Sequence, residues 1–224
     1  MDHSFIDSLE SIYSKLNGEK QIKKIRSDCS NLGYFHPIEI IYIIDKTIPK
    51  LQEDGNSQAE INLLFEKNQI ICNALSDFEG SRELSYKMLD ELPLSKEEEG
   101  LVIDFIARTH LAKSELVKAE ELYGRALKIL EEMDETHTRA HINVYWGVAV
   151  TYAESKHFEK SSEYYQKCLE ESEFLGLSDM VASCLMNLAA NAGELNDLVA
   201  SRRYLNDAEK KILSITKKNH RVMD

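Results

Sequence analysis

The sequence predicts an all-α protein built as a row of antiparallel helix pairs. Three observations predict it. Pro and Gly are scarce, three and nine in 224 residues, which leaves long uninterrupted segments for helices. Apolar residues recur at helical spacing: Phe158, Ser161, Tyr165, Cys168 and Leu169 fall at i, i+3, i+7, i+10 and i+11, one face of a helix. The residue that opens such a face returns as Phe78, Leu116, Phe158 and Leu198, at spacings of 38, 42 and 40. Regular spacing of similar residues is the mark of a stacked array.

Residues 1–18 read as an N-terminal capping helix with Phe5, Ile6, Leu9, Ile12, Tyr13 and Leu16 on one face. Residues 19–56 read as a degenerate helix pair. Ile22, Ile25 and Cys29 form its first stripe, and Phe35, 43 residues before Phe78, marks its turn. Arg26 stands there where a small residue is expected, and Pro49 sits late in the second helix. Residues 57–99 form a second imperfect pair, with Asn68 and Gln69 where apolar and small residues belong. Residues 100–141, 142–181 and 182–224 complete the row, the last with a basic C-terminal tail. Ser57-x-x-Glu60 and Ser95-x-x-Glu98 have the capping-box pattern, and Ser178 is a candidate cap.

In the stronger copies a small residue lies in the middle of the first helix (Ala107, Ala149, Ala189). A small residue, an aromatic and another small residue then follow in the second (Ala119, Tyr123, Ala126). This pattern resembles the tetratricopeptide repeat (TPR), whose unit is two antiparallel helices, A and B. The resemblance implies a right-handed superhelical array, a TPR-like α-solenoid, with A helices lining a concave groove. Small residues let adjacent helices approach closely. The unit here is longer than the ~34 residues usual for the repeat, as in kinesin-light-chain-like and Rap-like members of the superfamily.

Composition narrows the function. A formal net charge of −12 opposes a nucleic-acid backbone. The longest apolar runs, such as Ile38 to Ile44, are too short for a membrane span. Cys29, Cys72, Cys168 and Cys184 form no CxxC pair, so they are expected to be reduced and buried in a cytoplasmic protein. His137 and His141 lack a third ligand, and His110 sits at a core position. No cofactor, metal or catalytic group is expected, and the chain is read as a non-enzyme.

The resemblance implies a protein or peptide partner in the groove. Repeat register places Asn143, Trp146, Val150 and, from the next pair, Met186 there, and Asn187 where related arrays often hold ligand backbone. Trp146 packed on the preceding pair is the competing expectation. Lys20, Lys23, Lys24, Lys67 and Arg108 take comparable positions, so an acidic segment is the expected partner, unless they pair with acids such as Glu66. Two other readings stay open. One is the sensory region of a longer bacterial signalling protein, such as a diguanylate cyclase, or a peptide-pheromone receptor. The other is self-association through the array ends.

Overall fold

The computed structural model describes residues 3–16, 18–133 and 137–223, with side chains described through residue 215. Eleven α-helices and no strands occur among them. They are α1 (His3–Ser14), α2 (Gly18–Leu32), α3 (Pro37–Glu53), α4 (Ser57–Asn73), α5 (Phe78–Glu91), α6 (Lys96–Ala112), α7 (Leu116–Glu131), α8 (Arg139–Glu154), α9 (Phe158–Phe174), α10 (Ser178–Glu194) and α11 (Leu198–Met223). The four markers Phe78, Leu116, Phe158 and Leu198 are each the first residue of a helix.

One backbone device ends most first helices. Ser76, Ser114, Lys156 and Asn196 have φ between 53° and 61°, the left-handed region that side chains rarely adopt. Each lies two residues ahead of a marker. At Lys156 its own N–H donates to Ala153 O (2.9 Å) and the His157 N–H donates to Tyr152 O (2.8 Å). This paired closure is the Schellman arrangement, which satisfies the last carbonyls of the helix. Asp77 and Asp197 then accept from Gly80 N and Ala200 N, both at 2.9 Å, to start the second helix. Between pairs, Gly55 and Gly176 supply the same left-handed turn.

The chain divides into two compact units, residues 1–95 and 96–224. In the first, α1 to α4 bury Leu9, Tyr13, Ile25, Ile40, Ile44 and Leu63 in one core. Tyr13 donates to buried Asp28 at 2.7 Å. In the second, α6 packs on α7 and α8, and contacts then pass from α8 to α9, α10 and α11. Ala107, Ala149 and Ala189 are all buried (0, 0 and 2 % exposed), as close helix approach requires. Gly147 of α8 serves the same end more strictly. A Cβ there would lie 2.1 Å from the Tyr123 ring of α7, so the glycine makes the space the tyrosine fills.

Several local expectations are corrected. Phe35 lies in the turn after α2, as its spacing predicts, but it is 77 % exposed; α3 begins at Pro37, whose fixed φ suits the first helical position. Ser57 does not cap α4, because Asn56 does, accepting from Ala59 N at 3.2 Å. Ser178 is already helical behind Leu177, which makes no side-chain cap. The divisions at 99/100, 141/142 and 181/182 fall inside α6, α8 and α10, because the stripes used to place them begin a turn after the helices do.

Asn68 has a physical reason to be polar. It is fully buried, accepts from Ser81 Oγ at 2.6 Å and donates to Ser85 Oγ at 2.7 Å. The pair that looked degenerate is clipped across α4 and α5 by hydrogen bonds.

Candidate functional site

In residues 96–224 the candidate residues lie on three A helices: Arg108 on α6, Asn143, Trp146 and Val150 on α8, and Met186 and Asn187 on α10. Asn143 reaches a cavity of about 510 Å³. Arg139 and Ile142 of α8 line it, with Ser178, Asp179 and Met180 at the start of α10 and Ser214 and Ile215 of α11. The cavity thus joins an amide, a guanidinium, a carboxylate, a hydroxyl and apolar walls, a set able to bind peptide backbone and a side chain together.

Trp146 and Val150, at i+3 and i+7 from Asn143, are half-buried against the α8–α10 core. Trp146 sits edge-on to Tyr165 of α9, with ring centroids 5.2 Å apart and planes at 74°. It thus packs on the second helix of its own pair. Met186 is 45 % exposed. Asn187 is half-buried, and its Nδ2 donates to Ser183 O one turn back at 2.9 Å, which fixes the amide before any ligand arrives.

The cations separate into held and exposed groups. Lys24 pairs with Asp28 at 2.5 Å, the carboxylate that Tyr13 also binds. Lys67 pairs with Asp45 of α3 at 2.5 Å and lines a cavity of about 240 Å³ among α3, α4 and α5. It is thus engaged with a B helix instead of standing on an open A face. Arg108 lies 3.6 Å from buried Asp104 and 5.3 Å from the Phe105 ring. Glu66 is taken by Arg26 at 3.2 Å. Lys20 and Lys23 of α2 are exposed. Sequence spacing found the A-helix lysines but not the acids folded against three of the five.

The histidines make local contacts. His110 Nδ1 is 2.5 Å from Glu115, His137 Nδ1 is 2.7 Å from Glu171, and His141 Nδ1 is 3.0 Å from Thr138 Oγ1. Burial pulls the His141 imidazole below its usual range, with Glu171 and Glu97 opposing. Among the described residues no group of three or more His, Cys, Asp or Glu is placed to hold a metal ion. No described helix is long and apolar enough to cross a membrane.

Sequence reasoning missed Arg139, Asp179 and Met180. They lie in the first turns of their helices, outside the mid-helix register used to choose groove residues. It also missed a cluster on α8 and α9. Lys167 lies over the rings of Tyr145 and Tyr164 at 5.7 and 4.8 Å, and Tyr152 stacks on Tyr164 at 5.9 Å. The adjacent Tyr164 and Tyr165 carried the signal: one turns to this surface, the other to the core.

No protein-family model matches the sequence, and comparison with curated proteins finds no match. Comparison with solved structures does. Bacillus thuringiensis PlcR, in complex with the peptide PapR7 and DNA, is similar with a TM-score of 0.63 and 15 % identity, covering 93 % of this chain and 76 % of that one. A Podosopora anserina kinesin-light-chain protein of nearly identical TPR-like repeats gives 0.58 and 9 %, covering 89 and 99 %. MamA from Desulfovibrio magneticus RS-1 gives 0.55 and 13 %, covering 88 and 97 %. With these helices and these neighbours, the chain has the TPR-like, all-α solenoid fold.

Proposed function

We propose that this chain is a non-catalytic TPR module that binds a peptide or a protein segment, with the α8–α10–α11 cavity as its anchor point. The observation that carries the proposal is that cavity, where Asn143, Arg139 and Asp179 stand beside apolar walls. Asn143 offers a donor and an acceptor to ligand backbone, and Trp146 and Val150 extend the surface along α8. Asn187 and Met186 extend it along α10. We take the repeat units to be the helix pairs α2–α3, α4–α5, α6–α7, α8–α9 and α10–α11, which correspond to 19–56, 57–99, 100–141, 142–181 and 182–224 to within a turn. Four buried cysteines, none in a disulfide, suit work in a reducing, cytoplasmic setting.

PlcR, captured with a peptide and DNA, favours a regulatory peptide receptor as the specific form of this role. DNA is not part of our reading, because a net charge of −12 repels phosphates. A separate acidic segment would meet Lys20 and Lys23 on the first unit, the members of the cation group that stand exposed on α2.

The test is selection from a random peptide library, followed by titration against wild type and Asn143→Ala, Asn187→Ala and Lys20→Glu/Lys23→Glu variants. Selected peptides should lose at least ~10-fold in affinity on Asn143→Ala, about 1.4 kcal/mol, with Tm unchanged. Binding should also move Trp146 fluorescence. A ligand indifferent to Asn143 and Asn187 places the site elsewhere, and equal affinities of wild type and the lysine variant at both low and high salt remove the acidic preference.

A further inference from the structure

The last helix carries an apolar stripe on the side turned away from the core. Ala208 is buried against α10, yet Leu198, Leu205 and Ile212, spaced by seven, are 69, 53 and 42 % exposed. Val199 and Leu213, one step around the helix, are 84 and 52 % exposed. Leu205 takes the repeat position of Tyr123 and Tyr165, which are 1 and 2 % exposed. Tyr123 docks beside Gly147 of the next helix; Leu205 is the same docking residue, presented outward. A contiguous stripe of this kind marks an interaction surface.

Its charges say what covers it. Arg202 and Glu209 are exposed between the apolar residues, and neither forms an ion pair among the described residues. Turned end for end about Leu205, the stripe maps onto itself. Leu198 then meets Ile212 of the other copy, Leu205 meets Leu205, and Arg202 comes within one residue of Glu209. A parallel pairing would set Arg202 against Arg202 and Glu209 against Glu209. Self-complementarity under a two-fold is the requirement for an isologous dimer, and the seven-residue spacing suits two helices packed along a shared seam.

We infer that α11 is a self-association surface: two copies of this chain pack α11 antiparallel, with the two-fold axis at Leu205. The inference is independent of peptide binding, since none of the stripe residues lines the α8–α10–α11 cavity.

Engineered thiols test it, because all four native cysteines are buried. Under mild oxidation Leu205→Cys should give a covalent dimer in high yield. Leu198→Cys alone should not, since antiparallel packing holds its two copies ~21 Å apart along the helix (about 1.5 Å per residue). An equimolar mixture of Leu198→Cys and Ile212→Cys should cross-link. In sedimentation, Arg202→Glu and Glu209→Arg should each weaken the dimer at least ~10-fold, and the double exchange should restore it with the helical circular-dichroism signal constant throughout. A monomer at the highest soluble concentration overturns the inference, and so does cross-linking of Leu198→Cys to itself.

Discussion

The α4–α5 and α6–α7 pairs solve one packing problem by opposite means. In α6–α7 the seam is dry: Ile106, Ala107, Ala119, Tyr123 and Ala126 are all 0 or 1 % exposed. In α4–α5 the positions equivalent to Ile106, Ala119 and Tyr123 are Asn68, Ser81 and Ser85, also fully buried, and joined by hydrogen bonds of 2.6 and 2.7 Å. A third solution mixes the two. Ser161 and Ser201 replace Ala119 and donate to the Ala149 and Ala189 carbonyls at 2.8 and 2.9 Å, and Asn191 of α10 donates to Ser161 Oγ at 2.8 Å. The repeat position demands a small, satisfied side chain, and it does not demand an apolar one.

The sharpest way to break the dry solution is Gly147→Ala. The added Cβ meets the Tyr123 ring, so the variant should lose about 3 kcal/mol, measured by urea unfolding. Adding Tyr123→Leu should recover part of that loss, a coupling that a double-mutant cycle reads directly. Next in size is Ala149→Leu, expected to cost about 2 kcal/mol by overpacking the α8–α9 seam. An unchanged melting curve would mean the helices can part there.

The polar solution should fail differently. Asn68→Ile installs the residue of the dry seam but strands the buried Ser81 hydroxyl and takes the Asn68 donor from Ser85 Oγ, which still donates to Ser81 O, and should cost about 1–2 kcal/mol. Ser81→Ala and Ser85→Ala added to it should restore stability. If Asn68→Ile alone is neutral, the clip contributes nothing and the two seams are equivalent.

The smallest effect belongs to Asp104, buried beneath the dry seam. Burial raises its carboxyl above the usual 3.8, with Arg108 and Tyr123 opposing. The folded state therefore holds the proton more tightly than the unfolded chain. Its stabilising share is complete below that value and is lost as pH rises above it. Asp104→Asn should thus gain in Tm relative to wild type as pH rises above the ordinary carboxylate value of 3.8. A gap independent of pH would mean Asp104 folds ionised.

How legible this was in the sequence depended on which interaction carried each element. Helix openings at Phe78, Leu116, Phe158 and Leu198 were legible because turn length fixes them locally. So were the buried alanines, since smallness repeated at one register has few other causes. Asn68 was misread because a hydrogen bond across two helices leaves no apolar period. Which acids hold the groove cations was hidden for a related reason. Asp28 and Asp45, which bind Lys24 and Lys67, lie on neighbouring turns or helices, and composition does not reveal which acid a lysine will find. Arg139 and Met180 escaped because a cavity between helix ends is a tertiary fact.

The left-handed residues at the turns have a consequence for cooperativity. Ser76, Ser114, Lys156 and Asn196 each hold a conformation that glycine would adopt with less strain. The cost lies wholly inside one helix pair. Tyr123 against Gly147 and Asn191 against Ser161, in contrast, link one pair to the next. In a linear array, stability within units and coupling between units are separate quantities, and their ratio decides whether the row unfolds in one step or frays from an end. This chain encodes the two in different residues. Glycine at the four turns would strengthen each unit alone and loosen the all-or-none character of unfolding, while a change at Gly147, where α8 receives the Tyr123 ring of the preceding pair, would act on the coupling.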